Sequence, residues 1–430
     1  MNESQVERRP AYLDVTYDMF IGSIDGEQAE SVRFSKWLDA ITEDDVYAFE
    51  ARRVGAQRPE VEMRRTNGRA LHVLNMSSYN YLGLSYHPEV IEAAKAALDQ
   101  YGLGAASSPV HSGTFEIHNV LEDALVQFLG LPGRGVSLFS SGYGVNTGTI
   151  SALMKKHHHV VMDRSIHMSI LEGAQLARSK LSYFRHNDAE HLREILKSIV
   201  RNATRILVCT EGVFSADGDF GALKRVVEVA KEYGAQVLVD EAHSFLVAGP
   251  RGGGVGEEQG VLADIDLFIV TFSKALGGVG GALIAPRAIT RYVNWYARCR
   301  MFSCAIDPAV TAGVLKALEI ASGLEGAARR RRLRANVGHL RSRLAGKVDL
   351  GRSESWILTV IYGDEERTIP LLDFLQRAGL DASILQFPAV PVNESRIRLF
   401  VTSEHTVDQL DRAADIVITA ARQFGFALPN

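Results

Sequence analysis

Lys274 stands at the end of an apolar run, Asp266-Leu-Phe-Ile-Val-Thr-Phe-Ser-Lys-Ala-Leu-Gly-Gly-Val-Gly-Gly281, between Ser273 and a glycine-rich turn. Two further runs stop on polar residues in the same way. Gln236-Val-Leu-Val-Asp240 leads into Glu241, Ala242, His243 and Ser244, and Arg205-Ile-Leu-Val-Cys209 leads into Thr210, Glu211 and, later, Ser215. Apolar runs of strand length bounded by turn residues read as buried strands, and open α/β sheets place ligands beyond the carboxyl ends of their strands. An amine, a carboxylate and an imidazole delivered to one sheet edge suit covalent chemistry on a carbonyl compound. Taken singly, each residue has a plainer reading: a lysine after a strand is usually a solvated charge, a strand-end Asp often caps the next helix, and an isolated His is most often a core or surface residue. Their common placement favours the chemical reading.

The set fits pyridoxal phosphate, whose aldehyde takes a lysine amine as a Schiff base, whose pyridine nitrogen takes a carboxylate, and whose phosphate takes hydroxyls and free amides. Asp240-Glu-Ala-His243 lies 34 residues (274 − 240) ahead of the lysine in Thr271-Phe-Ser-Lys274-Ala-Leu-Gly-Gly. This pattern resembles the α-oxoamine synthase family of fold-type I pyridoxal phosphate enzymes, bacterial serine palmitoyltransferases in particular. The resemblance covers about residues 70 to 425.

What the resemblance implies is specific. Lys274 would carry the cofactor and then take the Cα proton of the amino acid. Asp240 would meet the ring nitrogen, His243 the phenolic oxygen, and His167, in Asp163-Arg-Ser-Ile-His-Met-Ser, would stack on the ring and reach the substrate carboxylate. Ser140-Ser-Gly-Tyr-Gly144 opens a helix whose Gly142 and Tyr143 amides would face the phosphate, joined by the Thr271 and Ser273 hydroxyls. Ser215, in Glu211-Gly-Val-Phe-Ser-Ala-Asp-Gly218, matches a loop that lines the cofactor. On the substrate side, Arg398 in Arg396-Ile-Arg-Leu-Phe-Val-Thr falls on the family arginine that clamps a carboxylate with its planar fork. Arg396, taken to face the other side of that strand, serves as a comparison residue. Asn80, in the Asn-Tyr-Leu-Gly segment, and Thr114, in a Ser112-Gly-Thr114 loop that in the family approaches from the dimer mate, complete the substrate set.

The implied reaction is a decarboxylating Claisen condensation of an α-amino acid with an acyl thioester, giving an α-amino ketone, carbon dioxide and free thiol. Serine with a long acyl chain is the first expectation, with a 3-ketosphinganine-like product. Alanine or glycine with another acyl-CoA or acyl carrier protein thioester follows, in biotin-like or specialised metabolism. An aminotransferase shares the fold but forms no carbon dioxide, and a non-catalytic regulatory subunit would be expected to lack Lys274. Ser107-Ser-Pro109 replaces a Gly-Ser-Arg of many relatives, and Gln386-Phe-Pro-Ala-Val-Pro391 lacks an arginine found in some. Both departures touch the substrate side, so the reaction type is better defined than the substrate.

The elements that must position these residues follow from pattern. Strands at 136–139, 157–162, 181–184, 205–209, 236–240, 266–270 and 281–285 alternate with helices, which predicts a mainly parallel seven-stranded sheet with the last pair antiparallel across its tight turn. The expected class is α/β, an aspartate aminotransferase-like fold-type I transferase. Its expected parts are an N-terminal arm over 1–75, a cofactor-binding large domain over 76–310 and a smaller α+β domain over 311–430. In the arm, Phe34, Trp37, Leu38 and Ile41 share a helical face that must pack on the body, a partner subunit or a lipid surface, and Asn67-Gly68 marks a hairpin turn.

Composition narrows the rest. With 46% hydrophobic and 23% charged residues and a net charge of −4, the chain has the profile of a globular enzyme, without a basic field for nucleic acid. Three cysteines form no disulfide framework or zinc spacing, and no metal ligand set is expected; His157-His-His159 is too contiguous to converge on one ion. The N-terminus lacks the apolar core of a signal peptide and no run is long enough to span a membrane, so a cytoplasmic homodimer with sites at the subunit interface is expected, with peripheral membrane contact open to it. Arg329 to Arg334 reads as a solvated helix face able to meet an acidic partner such as an acyl carrier protein or anionic lipid.

Overall fold

The computed structural model describes residues 27–426. Residues 1–26 of the expected arm, including its polar start, and residues 427–430 lie outside the described residues. Three strands come first: β1 (Arg52–Val54), β2 (Glu60–Arg64) and β3 (Ala70–Met76). Seven follow: β4 (Arg134–Phe139), β5 (His159–Asp163), β6 (Lys180–Phe184), β7 (Ile206–Glu211), β8 (Gln236–Asp240), β9 (Leu267–Thr271) and β10 (Gly281–Pro286). The last three are β11 (Ile357–Gly363), β12 (Leu380–Leu385) and β13 (Ser395–Phe400).

One compact unit comprises Tyr79–Arg334 with Thr402–Glu404 and holds a seven-stranded sheet in the order β4-β10-β9-β8-β7-β5-β6. The runs Ile206-Leu-Val, Val237-Leu-Val and Leu267-Phe-Ile-Val are buried along their whole length, the pattern of strands covered on both faces. Alternate residues of these strands, Leu207, Cys209, Leu238, Leu267 and Ile269, pack with Val145, Ile150, Ile170 and Val293 from three helices. β5 through β9 are linked by parallel pairings, whereas β10 runs antiparallel to both β9 and β4. The glycines of the connecting turn reverse the chain at once: Gly277 at φ 70 and Gly280 at φ 111 occupy backbone regions that side chains resist. Every strand but β10 therefore ends at one edge of the sheet.

The second unit comprises the described residues up to Ser78, Ala335–Val401 and the residues from His405 on. Its six-stranded sheet has the order β1-β2-β3-β12-β13-β11. β2 and β3 form the expected hairpin, Arg64 opposite Ala70, with Gly68 at φ 88 in the turn. β3 also pairs in parallel with β12, Leu74 opposite Leu380, so the segment read as an arm is built into the same sheet as the C-terminal strands. Burial explains this: Val73, Leu74 and Met76 are almost wholly buried, and a lone hairpin cannot cover them. The helix Glu27–Glu43 finds its cover in this unit as well, Ile41 packing with Tyr47 and Ile369.

Gly277 offers a direct test of the turn. A Cβ on Gly277 would lie 2.6 Å from the Ser85 Cα, whereas one on Gly260, at φ 73, would meet nothing within 4 Å. Gly260→Ala should cost about 1 kcal/mol from the left-handed backbone alone, and Gly277→Ala at least about 2 kcal/mol more in urea unfolding. Equal losses would mean that the turn does not press on Ser85.

Candidate active site

The strand ends of the first unit converge on a set of polar side chains. Asp240 closes β8 and is only 5% exposed. Its carboxylate accepts a hydrogen bond of 2.7 Å from Asn146 Nδ2 and one of 2.9 Å from the Ala242 amide, so its oxygens are held by neutral donors. Asn146 Nδ2 also donates to Ser169 Oγ at 3.0 Å, which links the helix Gly142–Leu153 to the helix Met168–Leu176. Three residues beyond Asp240, His243 is buried, and its Nδ1 shares a 2.7 Å hydrogen bond with the Tyr81 hydroxyl. Tyr79 meets the same imidazole edge-on, ring centroids 5.8 Å apart, and its face lies 5.9 Å from Lys274 Nζ. Lys274, half-buried just past β9, is thus tied through Tyr79 to the segment that holds His243.

On the other side of Lys274, Thr271 Oγ1 and Ser273 Oγ lie 2.8 Å apart. They sit at the N-terminus of the helix Gly142–Leu153, where the Ser141 hydroxyl caps by accepting the Gly144 amide at 3.0 Å. The Gly142 and Tyr143 amides belong to the first turn, which has no intrahelical acceptors. A Cβ on Gly142 would come within 2.5 Å of Thr271 Oγ1, so only glycine lets the hydroxyls and the helix start approach this closely. Two hydroxyls, first-turn amides and a helix dipole form a cradle for a phosphate, and a buried carboxylate with a lysine one strand away suits the ring of pyridoxal phosphate. The donor set fits that cofactor.

His167 is exposed at the rim and caps its own helix, its Nδ1 accepting from the Ser169 amide at 3.3 Å and lying 2.7 Å from Ser169 Oγ. The plain role of a helix-start histidine is therefore present, and it fixes the ring. Tyr143 stands edge-on to it with centroids 6.1 Å apart. Asn80 is buried with Oδ1 accepting from the Ser85 amide at 3.3 Å, under the turn that follows Lys274. Ser215 lies in the short loop closed by the Val213–Phe220 bridge. Thr114 lies apart from these contacts; its hydroxyl donates to the Pro109 carbonyl at 2.8 Å, and it lines a cavity of about 320 Å³ with Glu122, Trp295 and Arg300. There burial pushes the Glu122 carboxyl up to about 7.

Arg398 belongs to the second unit, on β13 opposite Ser383, whose hydroxyl it reaches at 3.0 Å. Its guanidinium lies 5.0 Å from the centre of the Phe400 ring. The expectation that Arg396 faces the opposite side is wrong. Residues two apart on a strand share a face, and Arg396 and Arg398 flank Ile397 in an unbroken register with β12. Arg396 differs in its partner, donating to Glu394 Oε2 at 3.1 Å. The run Arg329 to Arg334 is not wholly solvated either. Arg329 and Arg330 are 8% and 5% exposed; Arg329 donates to the Leu82 carbonyl at 2.7 Å and pairs with Glu325 and Glu404, and Arg330 donates to the Ala321 carbonyl at 2.8 Å. Helix ends and loop carbonyls in the first unit need those donors.

Several residues at the site were not picked out from sequence. Glu211 ends β7 beside Asp240, accepts the His167 amide at 2.6 Å, and is pushed well above the usual carboxylate range by burial and then by the Asp240 charge. Asn146 was legible only as a polar residue one turn inside an apolar helix. Asp163, His186 and Asp219 form a chain in which His186 Nδ1 lies 2.8 Å from Asp163 and Nε2 2.7 Å from Asp219. Asn187 extends it by donating to Asp219 at 3.2 Å and to the Phe220 carbonyl at 2.9 Å. The loop that carries Ser215 is clamped in this way to the end of β5. Burial opposes the charge on His186, but the two carboxylates outweigh it and raise the imidazole to about 9.

A matching family model covers residues 72–417 and is described as aminotransferase class I and II. An 8-amino-7-oxononanoate synthase of Bacillus velezensis is 34% identical over 368 residues, 85% of this chain and 92% of that one. A serine palmitoyltransferase of Sphingobacterium spiritivorum is 37% identical over 352 residues, 82% of this chain and 87% of that one. Among solved structures, a serine palmitoyltransferase from S. paucimobilis with bound PLP and myriocin superposes with a TM-score of 0.84 at 32% identity, over 90% of this chain and 96% of that one. The chain belongs to the aminotransferase class I and II family, with the fold of the fold-type I pyridoxal phosphate enzymes. Within it, the chain is an α-oxoamine synthase.

The His186 clamp sets a pH dependence whose sign is fixed. An imidazole raised in the folded state stabilises it on the order of 3 kcal/mol below its ordinary value of 6.5, and that contribution is lost as pH rises through about 9. Thermal unfolding of the wild type should fall across that interval, and His186→Gln should start lower and fall less steeply. Parallel profiles would remove the charged clamp from the account.

Proposed function

We propose that this chain condenses serine with a long-chain acyl thioester, releasing carbon dioxide and free thiol and forming a long-chain α-amino ketone. The observation that carries the reaction class is the juxtaposition of the buried Asp240, the half-buried Lys274 and the Gly142–Thr271 cradle along one sheet edge. Bound pyridoxal phosphate supplies an aldehyde for the amino acid and an electron-withdrawing ring next to its Cα carbon. Asp240, oriented by Asn146 and Ala242, keeps a proton on the ring nitrogen. Thr271, Ser273 and the first-turn amides of Gly142 and Tyr143 would hold the phosphate, and Ser215, by its match to the family loop, would line the cofactor. His243, set by Tyr81, meets the phenolic oxygen.

Lys274 Nζ would take the Cα proton and later return a proton to the same carbon. Arg398 would take the amino-acid carboxylate in its planar fork with His167 directing it, and Asn80, with the Thr114 loop of the dimer mate, would complete the substrate side. The new bond joins Cα to the thioester carbonyl as the carbon–sulfur bond breaks. The bond from Cα to the carboxylate would break next, carbon dioxide leaving while the electron pair stays with Cα, and the returned proton would bond to that pair.

Serine rests on the likeness to serine palmitoyltransferases. Alanine with a shorter acyl thioester is the second reading, favoured by relatives named 8-amino-7-oxononanoate synthase at comparable identity; that name itself describes an adjacent amine and ketone. A homodimer is part of the proposal. Trp295 and Phe302, 61% and 80% exposed, are large apolar side chains of the kind that a subunit contact covers. Among the described residues no helix is long and apolar enough to cross a membrane.

Holoenzyme titrated with serine, alanine and glycine, then given acyl-CoA and acyl carrier protein thioesters of graded length, should release carbon dioxide and thiol in equal amounts, best with serine and a long chain. Greater turnover with alanine would assign the second reading, and amino transfer without carbon dioxide would overturn both. In the same assay Arg398→Ala should raise the KM for the amino acid on the order of 10- to 100-fold, with cofactor retained; an unchanged KM would remove Arg398 from the carboxylate site.

A further inference from the structure

Within the second unit, the helix Glu27–Glu43 and the segment Ile384–Ala389 enclose a cavity of about 410 Å³, in the range of pockets that hold a small amphiphile. Its walls are mostly apolar, with the aromatic Phe34, Trp37, Phe49 and Phe387 and the aliphatic Leu385 among them. Among the described residues its charged lining residues are all of one sign, Glu50, Glu365 and Glu366, with no lysine, arginine or histidine. Tyr47 donates its hydroxyl to Glu50 Oε2 at 2.7 Å, and the Asn393 amide donates to Glu365 Oε1 at 2.8 Å, so two of the acids are fixed by neutral donors. The nearest basic residue in sequence, Arg367, turns instead to the Tyr362 and Gly425 carbonyls and toward Asp364.

We propose that this cavity binds a single-chain amphiphile with a cationic amine head, the chemical class of the long-chain α-amino ketone product. The identity of the physiological ligand rests on the reading of the function given above; the cavity's preference for an amine does not. An alkyl chain is taken up by the aromatic walls. An ammonium head gains from three carboxylates and from aromatic faces, and a carboxylate or phosphate head is repelled by the same acids. The acyl thioester donors carry anionic carriers, so charge selects the amine that the reaction makes over the thioester that it consumes.

The test uses the full-length holoenzyme and three probes of one chain length below their micelle concentrations: dodecylamine, dodecanol and dodecanoate. Trp37 in the cavity wall reports binding by its fluorescence, and Trp37→Phe identifies its share of the signal. Dodecylamine should bind saturably and at least tenfold more tightly than dodecanol, with dodecanoate weakest. The triple variant Glu50→Gln, Glu365→Gln, Glu366→Gln should lose the preference for the amine and keep its affinity for dodecanol. Equal binding of the three probes, a preference for dodecanoate, or no saturable change would overturn the proposal. So would a tenfold gain for all three probes on deletion of residues 1–26, which would assign the cavity to that segment of the chain. Binding is read without turnover, so a preparation inactive with every amino acid still reports on the cavity.

Discussion

A carboxylate at the end of an apolar strand stays charged only if donors replace the water it loses, and it then exerts a field on whatever sits beside it. Asp240 is in that position. It is nearly buried, accepts from Asn146 and the Ala242 amide, and makes its neighbour Glu211 harder to ionise. Asp240 at the end of β8 is the carboxylate that a protonated ring nitrogen would meet, while Glu211 beside it at the end of β7 is held toward its neutral form. The positions of Lys274, His243 and the phosphate cradle make chemical sense around that one carboxylate.

The sheet and the site share one cause. Leu, Ile and Val fill β7, β8 and β9 because both faces are covered, so the first polar residue in each run falls at the strand end. That is why Asp240, Lys274 and Thr271 could be placed on a common edge from sequence, and why a strand returning through Gly277 and Gly280 had to be antiparallel. Family likeness added roles that pattern alone does not give.

What stayed hidden depends on partners distant in sequence. β3 pairs in parallel with β12, a contact with no local signature, so a sheet strand looked like part of an arm. The apolar stripe of Phe34, Trp37 and Ile41 revealed that the helix needed cover and gave no hint that Ile369 would provide part of it. Five arginines within the six residues 329–334 looked like a solvent face until carbonyls of Leu82 and Ala321 appeared opposite two of them. Asn146 and His186 were ordinary polar residues until each was seen holding a strand-end acid. Arg396 is a plain geometric correction, since the period of two puts it on the face of Arg398.

The central claim is that Asp240 gives the bound ring its capacity to withdraw electrons from the amino acid. It is tested most directly by following exchange of the serine Cα proton in deuterium oxide, without any acyl donor, in wild-type protein and in Asp240→Asn, each reconstituted with pyridoxal phosphate. The account predicts steady exchange in the wild type and a loss on the order of 100-fold or more in the variant, with serine still bound. Exchange at the wild-type rate in Asp240→Asn would contradict it.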